Sequence, residues 1–215
     1  LRPDHAGGGA GAPSLMPRYV ALLRAINDVA LTYPNLSRPG QAVLVPLRIL
    51  AEFWVAYYWP FVEPGKPVWQ GARNRRRSGI ANDMAFRPAL THLRETWERQ
   101  IGIASLPSDG YVLINELRNP RKRVLFPEEL ITAYSTAVTA IGKTIEEQPI
   151  RYAGPGEWSV FEKPARYAPA SATLPLPGTH PGEKCVRLEP EIWQLFCDLS
   201  LWIEALCIHE WSLFT

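Results

Sequence analysis

Apolar residues return every three or four positions along most of the chain, and this spacing predicts a mainly helical fold. Proline near the first turn of two of the segments, and Gly102 just past another, are typical of helix ends. A strand over residues 111–114 is an alternative within the fourth segment. The predicted helices cover residues 18–31, 46–59, 86–100, 108–118, 127–148 and 190–213.

The period changes after residue 149, where β-branched and aromatic residues gather in short runs. Runs over 150–153 and 158–161 flank the sequence Gly-Pro-Gly, which is typical of a hairpin turn. The run KCVRLE, which begins at Lys184, predicts a third strand. The predicted fold class is therefore α+β: mainly α with about six helices, and a small antiparallel β-sheet inserted over about 149–188 before the C-terminal helix.

Composition places the chain among ordinary globular proteins. It has 215 residues, 47% hydrophobic and 20% charged, so a single domain with a real core is expected. No apolar run has the length of a membrane span, and three cysteines without CxxC spacing indicate reduced thiols. We therefore expect a cytoplasmic protein with no membrane partner. A net charge of +2 points to a polyanion only if the cations are clustered.

The two ends of the chain differ from its middle. Residues 1–15 are rich in glycine, which predicts a flexible leader of vector origin before a single domain over 16–215. At the other end, the apolar pattern reaches Thr215 without the Gly, Asn or Pro that usually ends a helix. We therefore expect the last helix to continue in a longer parent protein.

Basic residues are concentrated in two short stretches, one within GARNRRRSG and one around Asn119-Pro120. Crowded guanidinium groups repel one another unless phosphates or acidic partners neutralise them, and the planar arginine fork suits phosphate oxygens. DNA contact and two simply solvated loops are both consistent with this placement. The candidate DNA-binding residues are Arg73, Arg75, Arg76, Arg77, Arg118, Arg121, Lys122 and Arg123.

Other candidate sites lack residues that their chemistry needs. Cys207 and His209 are two positions apart on a predicted helix and point in different directions, so a packed histidine is favoured over a metal ligand. The pair His209-Glu210 has no second histidine four positions later, as a zincin motif would. No nucleophile, base and orienting group can be assembled, so we predict no catalytic residue, metal or cofactor in this chain.

A helix followed by a hairpin is also the order of a winged-helix recognition helix and its wing. The outward face of the predicted helix over 127–148 holds four glutamates against the single cation Lys143, which is the wrong sign for a DNA groove. A structural role for this helix is therefore favoured.

Several stretches resemble the region that precedes the nuclease module in bacterial HNH endonuclease domain proteins. They are YVALLRAI, VPLRILAEFWVAYYWPFV, DMAFRPALTHLR, QPIRYAGPGEWSVFEKP and LSLWIEALCIHEWSLFT. The resemblance covers nearly all of residues 16–215. It implies a metal-dependent ββα nuclease module beyond the last helix, with a histidine general base and a divalent cation. None of those catalytic residues is present in this sequence, so a metal is expected only in that downstream module.

The leading hypothesis is a DNA-binding or DNA-positioning N-terminal module of an HNH-type endonuclease, non-catalytic by itself. The alternative is a protein-interaction or regulatory helical module, because tryptophan and tyrosine are favoured at interfaces with a partner or with a second copy. A stand-alone enzyme is a third and less supported hypothesis. The aromatic residues that support the alternative are Trp54, Tyr57, Tyr58 and Trp59.

Overall fold

The computed structural model describes residues 17–36, 38, 40–68, 75–76, 79–80, 83–156, 160–169 and 172–213, and for 75–76 and 79–80 it describes the backbone alone. The leader that the sequence predicts over residues 1–15 lies outside this part of the chain. Helices dominate what is described. They are α1 Pro17–Thr32, α2 Leu47–Tyr58, α3 Arg87–Ile101, α4 Asp109–Arg118, α5 Pro120–Arg123, α6 Glu128–Ile145, α7 Pro190–Asp198 and α8 Ser200–Ser212.

The strands are short, and two of the helices continue into other helical forms. A 3-10 segment, Trp59–Val62, follows α2, and a π segment, Glu146–Ile150, follows α6. The strands are β1 Val43–Pro46, β2 Arg75–Arg76, β3 Gly79–Ile80, β4 Ala165–Arg166, β5 Leu174–Pro175 and β6 Lys184–Leu188.

The mainly helical class is confirmed, but the predicted number of helices is wrong. In the described residues the chain has eight α-helices rather than about six. The last predicted helix is two helices, α7 and α8, which bend by 76° at Leu199. The short helix α5 was not predicted, because a residue before proline is typical of a helix end; here the Asn119 side chain accepts a hydrogen bond from the Arg121 amide and caps a new turn.

The remaining helix predictions are confirmed to within a few residues. The alternative of a strand over 111–114 is wrong, because α4 covers those positions. Gly102 ends α3 in the left-handed conformation, with φ of 72°, and its amide donates a hydrogen bond to the Glu98 carbonyl. Glycine is favoured there because a side chain would strain this conformation.

The sheet is mixed, so the predicted antiparallel sheet is wrong. Its strand order is β4-β6-β1-β5, with β1 antiparallel to β6 and parallel to β5. The strand predicted at KCVRLE is β6, but no hairpin strand forms over 150–153. Ile150 instead ends the π segment fully buried, and turns and bends follow it. The prediction failed because burial of Ile150 favours continued helix over a solvated hairpin.

Helix α2 is the centre of the core, as its aromatic face predicts. It packs against α1, α4 and α6, and Trp54, Tyr58 and Trp59 are fully buried. Gly110 of α4 lies so close to α2 that a Cβ there would be 2.9 Å from the Trp59 Cβ atom. Burial of these large aromatic side chains stabilises the fold.

No single helix among the described residues is long and apolar enough to cross a bilayer. The pair α7 and α8 meets the length and composition criteria only when the two are taken together, across their 76° bend.

Candidate nucleic-acid interface

The two predicted basic clusters differ in how much of them the structure describes. Arg73 and Arg77 lie outside the described residues, and Arg75 and Arg76 are described only as backbone in β2, which pairs antiparallel with β3. Their contact with DNA therefore stays a prediction. The second cluster lies at the end of α4 and on α5, where every side chain is described.

The second cluster is built against a buried carboxylate, Glu52 of α2. Glu52 is fully buried, and its Oε2 atom accepts a hydrogen bond of 2.6 Å from the Arg118 Nε atom. Its Oε1 atom accepts bonds from Arg48 Nη1 at 3.1 Å and from the Tyr134 hydroxyl at 2.7 Å. Because a buried charge is costly unless it is paired and hydrogen-bonded, these three donors are what allow Glu52 to stay buried.

Tyr134 acts here as a fixed donor. Burial, followed by the adjacent Glu52 carboxylate, raises the pKa of Tyr134 well above its usual range. The hydroxyl therefore keeps its proton and donates a hydrogen bond to Glu52 across the physiological pH range.

Arg48 also reaches a second carboxylate. Its Nε atom donates to Glu183 Oε1 at 2.8 Å, and the His180 amide donates to Glu183 Oε2 at 2.7 Å. Partial burial raises the pKa of Glu183, but these hydrogen bonds and the charges of Arg48 and His180 outweigh burial, so the pKa lies below its usual value. Glu183 is therefore a stable anionic support for Arg48.

The other three cations of the second cluster are held less tightly. Arg123 donates through Nε to the Leu117 carbonyl at 2.6 Å and lies over the Tyr134 ring at 6.0 Å. Lys122 pairs with Glu116 at 2.6 Å, with both side chains partly exposed. Arg121 is exposed and forms no ion pair with any described side chain. The cluster therefore mixes cations anchored in the fold with cations open to solvent.

Two adjoining cavities meet at these arginines. The first, about 740 Å³, runs along α6 and is called the α6 groove; the second, about 320 Å³, is called the arginine pocket. Arg48 and Arg123 line both cavities, and Arg118 lines only the pocket. The further charged residues that line the α6 groove are Lys143, Glu146, Glu147, Arg151, Lys163 and Lys184.

The α6 groove is positively charged overall, because its cations outnumber its acids. Both lining glutamates are already paired: Glu146 with Lys184 at 2.7 Å, and Glu147 with Lys143 at 3.8 Å. Lys163 is exposed and has no carboxylate partner among the described residues. Glu146 and Glu147, two of the four glutamates that argued against DNA contact in the sequence, are therefore neutralised by their neighbours.

The structure brings together some of the predicted residues and adds others. Arg118 and Arg123 reach the cavities, whereas Arg121 and Lys122 share their helical turn without lining either cavity. The groove cations from other elements were missed, because only folding brings α2, α6 and β6 side by side. The signals available were Arg48 and Glu52, two charges inside the otherwise apolar segment LRILAEFWV. The missed residues are Arg48, Glu52, Lys143, Arg151, Lys163 and Lys184.

The cluster near the end of the chain does not form a site. Cys207 is buried, with its thiol 3.7 Å from the Val20 carbonyl oxygen, whereas His209 is exposed. Across the described ranges, no three His, Cys, Asp or Glu side chains are grouped so that they could hold a metal ion.

Comparison with known proteins identifies a family but no characterised relative. No curated protein and no solved structure matches the chain. One family model matches residues 19–215, which is nearly the whole length. The chain therefore belongs to the family described as a domain of unknown function, DUF8808.

Proposed function

We propose that this protein is a nucleic-acid-binding module that holds DNA by its phosphate backbone, and that it does no chemistry itself. The observation that carries the proposal is the α6 groove, whose walls present cations from α2, α5, α6 and β6 to one elongated space. Arg121 and Lys122 extend this charge onto the surface beside the groove.

Electrostatics favours a polyanionic ligand over a small one in the α6 groove. Lysine and arginine side chains that contact phosphates release condensed counterions, which gives affinity without sequence selectivity. Cations contributed by several elements can contact phosphates spaced along a strand, whereas a single small anion would meet only a few of them. We therefore assign the groove to the backbone of a DNA duplex.

The resemblance to the region before the nuclease module of HNH endonuclease domain proteins supports a positioning role. In that arrangement the downstream module would supply the metal and the cleavage chemistry, and this domain would supply affinity and orientation. The predicted contribution of Arg73, Arg75, Arg76 and Arg77 belongs to the same proposal.

The test is the affinity for a short DNA duplex, measured by fluorescence anisotropy over a range of salt concentrations. Replacing Lys143 and Lys163 together with alanine should weaken binding and reduce the salt slope by roughly 1 to 2. Arg99→Ala is the matched control, because Arg99 is exposed, is paired with Glu129 and lines neither cavity. Unchanged affinity and slope in the double variant would contradict the proposal.

A second candidate, a protein-interaction module, is favoured by the outer face of α8. The aromatics of α2 belong to the core, but Leu201 and Trp202 are 76% and 77% exposed. Exposed large apolar side chains grouped on one helix are typical of protein contacts. Concentration-dependent self-association in sedimentation, abolished in Trp202→Ser, would support this candidate; a monomer at every concentration would contradict self-association.

A further inference from the structure

We propose that the arginine pocket binds the phosphomonoester of a nucleotide, with the base against the pocket's apolar wall. Two sources present such a phosphate. One is the 5′-phosphorylated end of a DNA strand, and for this source the inference deepens the proposed function and rests on it. The other source is a free nucleoside monophosphate. Both sources present the same chemistry, a terminal phosphate on a nucleotide.

The first step is that three guanidinium groups are held in fixed positions beside one cavity. Arg118 is bonded to Glu52 and lies over the Phe53 ring at 5.5 Å. Arg48 is bonded to Glu52 and Glu183, and Arg123 to the Leu117 carbonyl. Fixing these long side chains in the fold removes much of the entropy that a ligand would otherwise have to overcome.

The second step is that each guanidinium group still has N–H donors that can bind a ligand. Arg48 Nη2, both Nη atoms of Arg118, and Arg123 Nη1 form no hydrogen bond with any described residue. The side chains of Arg48 and Arg118 are 33% and 36% exposed, so both are partly open to solvent. Paired N–H groups on guanidinium planes match the oxygens of a phosphate.

The third step is charge. Glu52 and Glu183 balance two of the three guanidinium groups, and no carboxylate lines the pocket itself. An uncompensated positive charge therefore remains, and His180 on the same wall adds a further donor. A phosphomonoester carries about −1.5 to −2 at neutral pH, against −1 for a phosphodiester, so the terminal group is favoured.

The fourth step is shape. At about 320 Å³ the cavity is at the small end of ligand-binding pockets, which corresponds to one nucleotide. Its lining comes from four segments: the end of α1, α2, the α4–α5 turn and the loop around residue 178. The apolar part of the wall, against which a base can pack, consists of Val29, Tyr33, Ile49, Phe53, Pro120 and Pro177.

The test is calorimetric titration with adenosine 5′-monophosphate, adenosine and inorganic phosphate, together with anisotropy on DNA strands that carry either a 5′-phosphate or a 5′-hydroxyl. The monophosphate should bind more tightly than either fragment. If strand ends are a source, the 5′-phosphorylated strand should bind roughly tenfold more tightly than the hydroxyl strand, as expected for charge-assisted hydrogen bonds.

Two variants and one control make the test specific. Arg118→Lys keeps the charge beside Glu52 but loses the planar guanidinium group with its paired N–H donors. It should lower monophosphate affinity by roughly tenfold. Tyr33→Ala should weaken binding of the monophosphate without changing that of inorganic phosphate. Arg99→Lys, a change of the same type outside both cavities, should have no effect.

The outcomes separate this inference from the proposed function. Monophosphate binding without duplex binding would support the pocket and contradict the DNA-binding proposal. Salt-dependent duplex binding, with no monophosphate binding and no preference for a 5′-phosphate, would overturn the pocket and leave the DNA-binding proposal standing. Equal binding of adenosine and its monophosphate would also overturn the inference, because the arginines would then have no role.

Discussion

Arg118 and Glu52 lie 66 positions apart in the chain and form an ion pair of 2.6 Å in which the Glu52 side chain is fully buried and the Arg118 side chain is about one-third exposed. This asymmetry gives the pair two roles. The Arg118 Nε atom satisfies the buried Glu52 carboxylate of α2, and the Nη atoms of Arg118 present free donors to the arginine pocket. Stability and ligand binding therefore depend on the same contact.

Removing Glu52 should be costly. Glu52→Ala leaves the Tyr134 hydroxyl without its acceptor and removes an ion-pair partner of Arg48 and Arg118, so we expect the free energy of unfolding to fall by about 1–3 kcal/mol in urea denaturation. The matched control is Glu116→Ala, which breaks the more exposed pair with Lys122 and should change stability by less than about 1 kcal/mol. Equal effects of the two variants would contradict the role given to Glu52.

Two helical glycines should respond in opposite directions to the same substitution. Gly110→Ala places a Cβ 2.9 Å from Trp59 Cβ and 3.0 Å from Ala56 Cα, so it should destabilise the protein by about 1–3 kcal/mol. Gly142→Ala meets nothing within 4 Å and should stabilise α6 by about 0.4–1 kcal/mol.

Gly142 also lines the α6 groove, so its substitution separates stability from binding. The added methyl group narrows the groove, and we expect Gly142→Ala to bind duplex DNA a few-fold more weakly although it melts at a higher temperature. Thermal melts and anisotropy on the same sample measure both effects. Unchanged DNA affinity would show that the ligand does not approach this turn of α6.

Protonation of Glu98 should account for part of the loss of stability in acid. Its Oε1 atom accepts hydrogen bonds from Arg94 Nε and from the amide and hydroxyl of Ser105, at 3.0–3.1 Å. Burial raises the pKa of Glu98, but the bonds from Ser105 and Arg94 outweigh it and leave the pKa below the usual 4.5. This contribution is therefore complete above about pH 4.5 and is lost as the pH falls through the lowered value.

The variant Glu98→Gln isolates this effect. It should be less stable than the parent near neutral pH, and the difference should shrink as the pH is lowered from about 4.5, as measured by urea denaturation at each pH. A constant difference as the pH is lowered would contradict the assigned pKa shift. Arg94 remains satisfied in the variant by the carbonyls of Trp59 and Ser105, so folding is expected.

The cysteines should differ in reactivity. Burial raises the pKa of Cys185 and of Cys207 to about 11, so both stay as thiols near neutral pH. Cys197 is less buried, and it should be alkylated first by iodoacetamide at about pH 8. Mass spectrometry should find Cys185 and Cys207 modified only after denaturation; rapid modification of Cys207 in the native protein would contradict its burial against α1.

The periodicity of apolar residues predicted the elements that are stabilised by neighbours along the chain. The apolar stripes of α1, α3 and α6 were found because one helix face is buried continuously. Strand β1 and the mixed pairing of the sheet were not predicted, because β1 gains its stability from β6 and β5 and nothing local to Val43–Pro46 indicates that pairing. The bend at Leu199 was missed because α8 is apolar on several sides, so apolar residues recur without a break from α7 into α8.

The candidate site likewise contains residues that the sequence predicted and residues that it could not predict. Arg118 and Arg123 were predicted because they are crowded in sequence, and crowding is visible without a fold. Arg48 and Lys184 reach the same surface only through the pairing of β1 with β6, so no spacing rule could assign them. Glu52 was visible as an anomaly four positions after Arg48, yet its partners Arg118 and Tyr134 could be identified only from the packed structure.

The placement of β1 in the middle of the sheet has a consequence for how the protein is made. Val45 pairs with Val186, so the strand that leads into the central helix emerges from the ribosome long before its partner. Until β6 is synthesised, β1 has two open edges, and Arg48 lacks the carboxylate of Glu183. Nascent chains that stop short of residue 184 should thus stay incompletely folded and recruit chaperones, because closing so long a loop delays productive pairing.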